Sequence, residues 1–421
     1  MTRLARDCFA YGGDRIAVAD ALALLEARTA PVTETETVPL AQACGRCLAR
    51  PLVAARDVPA HDNAAVDGYA FAASERSREK GARLTLLPGR AAAGHPFDGA
   101  VPPGAALRVL TGAAMPAGTD TVALQEDVEL DEGGVTVPAG LEPGANRRLA
   151  GEDVREGQEL LTAGARLRPQ DIGLAAELGL AALDVHAPLR VAVLSSGDEL
   201  REPGQPHAPG AVYDANRYIL TSLLRALPVR VTDLGIVRDE PDAVRRTLAQ
   251  AAASHHVLLT SGGASRGDED HVVRGVGDMG RLDFWQIAMK PGRPLAFGRL
   301  GESTFIGLPG NPVATMVCFL LFARPVLWRL AGAAWSLPRA FSVRAGFALK
   351  KRPGRTEYLR ATLRANERGD LVADRIPREG SGILTSMVEA HGLIEVGPEV
   401  AWIEPGEPVR FLSFPELGIP I

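Results

Sequence analysis

Cysteine and lysine are both scarce in this 421-residue chain, and each scarcity excludes a class of protein. Four cysteines, at positions 8, 44, 47 and 318, cannot build the dense disulfide framework that stabilises small secreted domains. Four lysines stand against 42 arginines, and the formal net charge is −5. This balance provides no basic surface for duplex nucleic acid or an anionic membrane, so neither partner is expected.

Long apolar runs are also missing from the sequence. The longest, at residues 313–323, is about half of a membrane span and is followed by Arg324 and Arg329. The first residues contain no apolar stretch of signal-peptide length, so a cytoplasmic protein is expected. Glycine and proline are abundant instead, with 45 and 31 residues, which argues against an all-helical bundle. The apolar content of 46% is ordinary and can form the cores of about three domains.

The front half of the chain mixes helical and β patterns. Helical periodicity predicts helices at residues 19–28, 37–49 and 167–180. Between residues 71 and 150, short β segments are separated by glycine and proline, and this spacing suggests a small β domain.

The second half begins with an α/β pattern at about residue 185. Apolar strands at 189–196, 229–237 and 256–260 alternate with helices, which indicates βαβ units and a parallel sheet. A long helix is predicted at 312–330, and from residue 341 onward the patterns are again those of strands.

Polar loops follow the predicted strands of the α/β region. Ligands of open α/β sheets bind beyond the carboxyl ends of the strands, so these loops are candidate binding elements. Glycine turns before helices suit a phosphate, and carboxylates without histidine or cysteine favour a hard cation such as Mg²⁺. Each loop alone is also compatible with a solvated turn, but a phosphorylated substrate with Mg²⁺ accounts for all of them, including the charges of Lys290 and Arg293. The loops comprise residues 195–199, 238–240, 261–270, 289–294 and 307–312.

Two other motifs have competing interpretations. Cys44 and Cys47 form a single CxxC, but no second CxxC or HxxxH provides the remaining ligands of a zinc site. We therefore expect both cysteines to be buried as small apolar side chains. His271 follows Asp270 and is either a metal ligand or a solvated neighbour of the site.

These motifs, taken in order, identify a family. The chain resembles the molybdopterin molybdenumtransferases, which perform the last step of molybdenum cofactor synthesis and include the E domain of gephyrin. The resemblance extends from about residue 19 to the C-terminus. The matching segments are 62–70 (DNAAVDGYA), 111–113 (TGA), 147–153 (RRLAGED), 196–199 (SGDE), 238–241 (RDEP), 261–265 (SGGAS), 290–294 (KPGRP), 307–312 (GLPGNP) and 353–355 (PGR).

The resemblance implies a multidomain α/β plus β fold and an elongated homodimer. A central doubly wound α/β domain of the molybdopterin-binding type would be accompanied by small β-rich domains and a C-terminal β-barrel-like domain. The implied divisions are an α/β domain (14–34 and 185–337), a linker and dimerisation domain (35–56 and 154–184), a small β-rich domain with the DGY motif (57–153) and a C-terminal β domain (338–421).

The implied reaction consumes adenylylated molybdopterin and molybdate. Molybdenum would be inserted at the dithiolene and AMP released, with Mg²⁺ as the cofactor and one active site shared between two subunits. Two alternatives stay open, namely a molybdopterin adenylyltransferase and a non-catalytic scaffold like gephyrin. The loop that begins at Ser261 reads SGGAS where adenylyltransferases typically have SGGTG, and the flanking β domains also favour the transferase.

The resemblance also assigns the site residue by residue. The loop analysis independently indicates Glu199, Asp239, Asp270 and Lys290, the first three as ligands of Mg²⁺. The implied catalytic positions are Asp67, Thr111, Asp153, Glu199, Asp239, Asp270 and Lys290. The implied substrate contacts are Ser196, Gly197, Ser261, Gly262, Gly263, Ser265, Arg293, Pro309, Gly310, Asn311 and Arg355.

The sequence departs from the family pattern at a few positions. Arg293 stands where lysine is common, and Arg266 replaces a small apolar residue. Because guanidinium and ammonium groups bind oxyanions with different geometry, these changes bear on substrate contacts. In the first motif the departures are His61, Ala64 and Val66.

Overall fold

The computed structural model describes residues 15–74, 79–262, 271–378 and 380–419. The helices are α1 (Val18–Arg28), α2 (Leu40–Ala43), α3 (Pro169–Glu177), α4 (Ala215–Leu224), α5 (Pro241–Ala252), α6 (His271–Met279), α7 (Pro312–Cys318), a π-helical turn (Phe319–Ala323), α8 (Arg324–Leu330) and α9 (Thr385–Glu389).

The strands of the front half are β1 (Thr35–Pro39), β2 (Leu52–Val53), β3 (Asn63–Ala64), β4 (Gly68–Phe71), β5 (Ala82–Ala91), β6 (Ala105–Val109), β7 (Thr121–Leu124), β8 (Glu129–Asp131), β9 (Gly134–Val137), β10 (Arg147–Arg148), β11 (Glu159–Leu161) and β12 (Ala182–His186). Those of the α/β region are β13 (Leu189–Ser196), β14 (Leu200–Arg201), β15 (Val212–Tyr213), β16 (Val229–Val237), β17 (Val257–Ser261), β18 (Arg281–Gln286), β19 (Met289–Lys290), β20 (Pro294–Leu300) and β21 (Ser303–Leu308). The remaining strands are β22 (Phe341–Ala345), β23 (Leu349–Lys350), β24 (Thr356–Ala365), β25 (Leu371–Arg375), β26 (Gly392–Val396), β27 (Trp402–Ile403) and β28 (Pro408–Ser413).

The central sheet has the order β16-β13-β17-β21-β20-β18 and is covered on both faces. One face packs against α1, α4 and the long helix that begins at Pro312, and the other packs against α5 and α6. Strands β13, β16, β17 and β21 are parallel. The three central ones, β13, β17 and β21, are almost wholly buried, as expected for strands covered on both faces, whereas the edge strand β16 is largely exposed or half-buried. The predicted doubly wound α/β domain is thereby confirmed.

One strand of this sheet, β20, runs against the predicted parallel arrangement. β20 is antiparallel to both β21 and β18. Only Gly301 and Glu302 separate β20 from β21, a connection too short for the crossover that parallel strands need. Because β20 therefore starts where β18 ends, the loop between them still lies at the carboxyl edge of the parallel strands.

The predicted helix at 37–49 is wrong in most of its length. Residues 35–39 form β1, which pairs antiparallel with β12, and only the four residues of α2 are helical. The pairing with β12 overrides the local helical pattern, as tertiary contacts often do. Gly45 then turns the chain with φ +79°, a conformation that glycine adopts readily.

The long helix at 312–330 is a core element. By length and composition it could cross a membrane, but 78% of its apolar window is buried inside the protein. Its middle widens into the π-helical turn directly before Pro325. Proline has no N–H to donate to the preceding turn, which explains a local departure from α geometry at this point.

The other regions form separate small cores. The sheet β7-β4-β6-β5-β9-β8 has apolar clusters on both faces, and β1, β12, α2 and α3 surround a further cluster. At the C-terminus, β24, β25, β22, β28 and β26 close on themselves because β26 also pairs with β24. This closed five-stranded barrel confirms the predicted barrel-like domain. β19 pairs with β24, so the 287–293 loop of the α/β region is bound directly to the barrel.

Candidate functional site

Three of the family motifs meet in the small β-rich region. β3, within the first motif, pairs with β10, within the RRLAGED segment. The N–H of Ala64 donates to the carbonyl of Ala113 at 2.9 Å, and the N–H of Gly112 donates to the carbonyl of Ala64 at 2.8 Å. Segments that are far apart in the sequence are therefore joined by backbone hydrogen bonds.

Asp67 is fixed within this junction by Thr111. Its Oδ1 accepts hydrogen bonds from the backbone N–H and from the hydroxyl of Thr111, both at 2.7 Å. These two bonds, the backbone one first, lower the pKa of Asp67. The carboxylate is therefore charged at neutral pH and available at the surface.

Asp62, which the sequence analysis did not single out, orders the neighbouring loop. Its carboxylate forms an ion pair with Arg147 at 3.2 Å and accepts a hydrogen bond from the N–H of Ala150 at 2.8 Å. Asp153 is exposed at the end of this loop, where its N–H donates to the carbonyl of Val58 at 3.1 Å. The only signal for Asp62 was its position at the start of the first motif.

The α/β edge begins with the turn after β13. The hydroxyl of Ser196 donates to Oδ1 of Asp239 at 2.9 Å, and the N–H of Asp239 donates to Oδ1 of Asp198 at 3.2 Å. The carboxylate of Glu199 folds over Gly197, because a Cβ at Gly197 would lie 2.6 Å from Oε2 of Glu199. Three acidic side chains thus lie at one end of the sheet, as the loop analysis predicted for Glu199 and Asp239.

The turn after β17 requires glycine for two reasons. Gly262 has φ +80°, and a Cβ there would lie 2.9 Å from the carbonyl oxygen of Ser196. The N–H of Gly262 donates to the carbonyl of Leu308 at 3.2 Å, which joins this turn to the end of β21. The ends of three parallel strands are therefore tied closely together. Four predicted site residues or departures in this loop, Gly263, Ser265, Arg266 and Asp270, lie outside the described residues.

A cavity of about 600 Å³ opens at this edge. Its lining includes the polar residues Ser196, Glu199 and Ser261 and the exposed strand β15. The side-chain amide of Asn216 donates to the carbonyl of Gly310 at 2.6 Å, and its buried Oδ1 has no hydrogen-bond partner among the described residues. The remaining lining residues are Ser195, Leu200, Val212, Tyr213, Asp214, Ala215, Gly262, Asn311, Pro312 and Gly382.

A second cavity, of about 580 Å³, adjoins the first through Gly310 and Asn311, which line both. It is formed by the loop between β18 and β20, the turn before α7 and part of the C-terminal region. Its predicted site residues are Lys290, Arg293, Pro309, Gly310, Asn311 and Arg355, and Ser381, which the sequence analysis missed, lies beside them.

The cationic side chains of the second cavity come from two parts of the fold, the α/β region and the C-terminal barrel. The guanidinium of Arg355 donates to Oε1 of the buried Glu357, at 2.9 Å from Nε and 2.8 Å from the terminal nitrogen. Lys290 pairs with Glu357 in the register of β19 and β24. Strand pairing between the α/β region and the barrel therefore brings Lys290 and Arg355 to the same cavity.

Cys318 packs beneath this loop. Its Sγ lies 3.5 Å from the carbonyl oxygen of Gly292, and a Cβ at Gly292 would lie only 2.4 Å from that sulfur. Burial raises the pKa of the Cys318 thiol to about 12, so it remains a neutral packing group. The conformation between Lys290 and Arg293 is thus supported from the core helix.

The prediction that both cysteines of the CxxC motif are buried is correct for Cys47 and wrong for Cys44. Cys47 is buried, and burial raises the pKa of its thiol to about 12, whereas Cys44 is exposed. In the part of the chain that the structure describes, no three His, Cys, Asp or Glu side chains cluster as a metal site. Glu199 and Asp239 nevertheless present carboxylate oxygens at one edge, a donor type that fits Mg²⁺, and the third predicted ligand, Asp270, is outside the described residues.

The two groups of predicted residues occupy different places in one chain. Neither cavity is lined by Asp67, Thr111 or Asp153, and among the described residues no hydrogen bond or ion pair joins these three to the α/β edge.

His271, which the sequence left as either a metal ligand or a solvated neighbour of the site, begins α6 and is partly buried.

Comparison with known families covers most of the chain. Residues 16–179 match the MoeA N-terminal region (domain I and II), residues 192–329 match a probable molybdopterin binding domain, and residues 342–414 match the MoeA C-terminal region (domain IV).

Individual relatives match over nearly their whole length. The molybdopterin molybdenumtransferase of Haemophilus influenzae is 37% identical over 91% of this chain and 95% of its own, and that of Nostoc is 32% identical over 91% and 89%. The crystal structure of a molybdopterin biosynthesis MoeA protein from Pyrococcus horikoshii OT3 superposes with a TM-score of 0.82, at 28% identity, over 95% of this chain and all of that one.

Proposed function

This chain belongs to the molybdopterin molybdenumtransferase family, and from that membership we propose that it inserts molybdenum from molybdate into adenylylated molybdopterin and releases AMP. One observation supports this most directly. Two adjoining cavities at one sheet edge combine carboxylates, glycine turns and cations, as a phosphorylated substrate together with a second oxyanion requires.

The first cavity suits the nucleotide and pterin portions of the substrate. The exposed Val212 and Tyr213 provide an apolar wall for a flat heterocycle. In the same cavity, the buried Oδ1 of Asn216 is available to accept a hydrogen bond from a substrate amine. The glycine turn at Gly262 allows close approach of a phosphate to the backbone.

The second cavity suits molybdate. Lys290, Arg293 and Arg355 present positive charge around one space, and Glu357 holds the Arg355 guanidinium in a fixed direction. A lysine ammonium is a compact charge with rotatable donors, so it can follow an oxyanion whose geometry changes during the reaction. We assign Lys290 this role and assign Arg293 and Arg355 to holding the anion.

Magnesium would be held by Glu199, Asp239 and Asp270. When bound, it would act as a Lewis acid on the phosphoanhydride as that bond is cleaved. Ser196 positions the Asp239 carboxylate through its hydroxyl, so the protein contribution is to hold acidic oxygens near the phosphates before the metal arrives.

The DGY region would complete the site from a second subunit. Asp67, Thr111 and Asp153 line neither cavity of their own chain and, unlike Asp239, are not hydrogen-bonded to a described residue that does, which supports a homodimer in which each active site takes these residues from the partner subunit. The ionised Asp67 would then face the cations of the α/β edge.

Incubation with purified adenylylated molybdopterin tests the proposal. We expect AMP release that requires Mg²⁺ and is stimulated by molybdate. Synthesis of adenylylated molybdopterin from ATP, without molybdate-stimulated cleavage, would assign the chain to adenylyltransferases instead. No turnover in either direction would favour a non-catalytic scaffold.

A further inference from the structure

A third cavity, of about 510 Å³, lies next to the proposed molybdate site, and six of its ten lining residues are cationic. It is formed by the loop that joins β23 to β24, together with the β19 region and Arg15. Its lining residues are Arg15, Lys290, Leu349, Lys350, Lys351, Arg352, Pro353, Gly354, Arg355 and Glu357.

Lysine is concentrated in this cavity. The chain has four lysines among 46 basic residues, and three of the four line this one space. If the four lysines were distributed at random over the 46 basic positions, fewer than one would be expected among the six cations of this cavity. Lys290 comes from the α/β region, whereas Lys350 and Lys351 come from the C-terminal region, so the cluster is not a single sequence run.

Cations outnumber carboxylates six to one among the residues that line the cavity. Glu357 is the one carboxylate among the lining residues, and it accepts the hydrogen bond from Arg355. Lys351 is buried, and its Nζ donates to the carbonyl of Arg355 at 2.9 Å, so it clamps the loop rather than opening to solvent. Lys350 and Arg352 are exposed at the mouth.

The basic cavity shares part of its lining with the second cavity. Lys290 and Arg355 line both, and the pairing of β19 with β24 fixes this shared wall. An anion held in the basic cavity would therefore be in contact with the same two cations that face the proposed reaction site.

We propose that the basic cavity is a capture site for molybdate, from which the tetrahedral dianion passes along Lys290 and Arg355 to the reaction site. The inference rests on the proposed function, because it assigns the entry route of its substrate. A chain of net charge −5 repels a dianion at long range, and a cleft lined by one sign of charge raises the local concentration of the opposite ion.

Charge reversal at the mouth tests this route. In the Lys350→Glu/Arg352→Glu variant, we expect the KM for molybdate to rise about tenfold or more while kcat at saturating molybdate is unchanged. Lys350→Ala should raise the KM for molybdate by a smaller factor. This single variant replaces the double variant in the test if circular dichroism shows that the double variant is unfolded. The matched control is Lys80→Glu, which reverses the charge of the remaining lysine, outside this cavity.

Direct binding separates the route from the reaction. Titration calorimetry with sodium molybdate should find two sites in the wild type and one in the double variant. Sodium sulfate and sodium phosphate serve as competitors, and we expect molybdate to displace both from the site that the double variant loses. A single molybdate site in both proteins, or an unchanged KM, would overturn the proposal, and so would a second site that binds phosphate in preference to molybdate.

A failure of the proposed function can be distinguished from a failure of the capture-site proposal. A wild-type protein that releases no AMP from adenylylated molybdopterin would contradict the reaction, whereas the number of molybdate sites is measured without turnover. Two sites with no AMP release would therefore support anion capture and reject the assigned chemistry.

Discussion

Asp67 and Thr111 are joined by two hydrogen bonds to a single carboxylate oxygen, both at 2.7 Å. One bond comes from the backbone and the other from the hydroxyl, so the side chain of Thr111 carries only part of the interaction. The DGY and TGA motifs are therefore two halves of one structural unit, which explains why both belong to the family pattern.

Replacement of Thr111 by valine should raise the pKa of Asp67. The hydroxyl bond is lost, and the backbone bond, which is the larger cause of the lowered pKa, remains. Because the folded pKa lies below the unfolded one, the stabilisation is present above the unfolded pKa and is lost as pH falls through the folded pKa. Carboxyl ¹³C NMR titration of wild type and Thr111→Val measures the shift, and equal pKa values would show that the hydroxyl bond does not form.

Asp239→Asn should abolish most activity and leave the fold intact. Asn keeps an oxygen that can accept from Ser196, but it removes the charge assigned to Mg²⁺. We expect AMP release to fall by about a hundredfold and half-saturation to require more Mg²⁺. The adjacent Glu240→Gln removes an exposed acid and should behave like wild type. If Asp239→Asn and Glu240→Gln are equally active, Asp239 does not hold Mg²⁺ and acts only as an acidic residue near the start of a helix.

Gly292→Ala should distort the Lys290 loop. The added Cβ would meet Cys318 Sγ at 2.4 Å, at a residue whose φ is +90°. Overpacking of this kind costs about 1–3 kcal/mol of unfolding free energy, in addition to the strain of the positive φ. Gly301→Ala is the matched control, because φ is +57° and nothing lies within 4 Å of its Cβ.

Cys318→Ala should relieve part of that cost. Urea unfolding of both single variants and of the double variant gives the coupling free energy between the two positions. We expect the double variant to be more stable than the sum of the single effects predicts. If the changes in unfolding free energy of the two single variants are strictly additive, contact with the Cys318 sulfur is not what destabilises Gly292→Ala.

Lys290→Arg should cut turnover while retaining some anion affinity. A planar guanidinium fixes one bidentate geometry, whereas the reaction changes the geometry of the oxyanion. We expect a loss of about a hundredfold in kcat for Lys290→Ala, and a smaller loss for Lys290→Arg. Wild-type turnover of Lys290→Arg at all molybdate concentrations would mean that only positive charge matters at this position.

Mixed dimers should recover activity from two inactive variants. If each site combines Asp67 of one subunit with Glu199 of the other, then Asp67→Ala and Glu199→Ala protomers together form some intact sites. Partial recovery of AMP release after subunit exchange is the expected result. If exchange is demonstrated by mass spectrometry and activity stays absent, the shared-site arrangement is wrong.

Burial made the α/β region predictable from sequence. The strand at 189–196 was predicted to the residue because a buried parallel strand has a continuous apolar run. The strands and helices around it were close to their observed bounds. Their polar ends were the basis for predicting Glu199, Asp239 and Lys290 as site residues without reference to any relative, and the structure places all three at the ends of strands. The helix predicted at 37–49 failed because its pairing with β12 involves residues about 145 positions away.

Long-range contacts account for what the sequence could not show. Lys350 and Lys351 share a cavity with Lys290 only because β19 pairs with β24. The role of Asp62 depends on its contacts with Arg147 and Ala150, which are set by the pairing of β3 with β10. No local pattern encodes these neighbours.

The most direct test of the central claim is a count of molybdenum transferred for each AMP released. Adenylylated molybdopterin, molybdate and Mg²⁺ are incubated with the enzyme, and the pterin product is separated from free molybdate for elemental analysis while AMP is measured by chromatography. The account predicts one molybdenum atom in the pterin fraction for each AMP formed. AMP release that leaves the pterin free of molybdenum would contradict it.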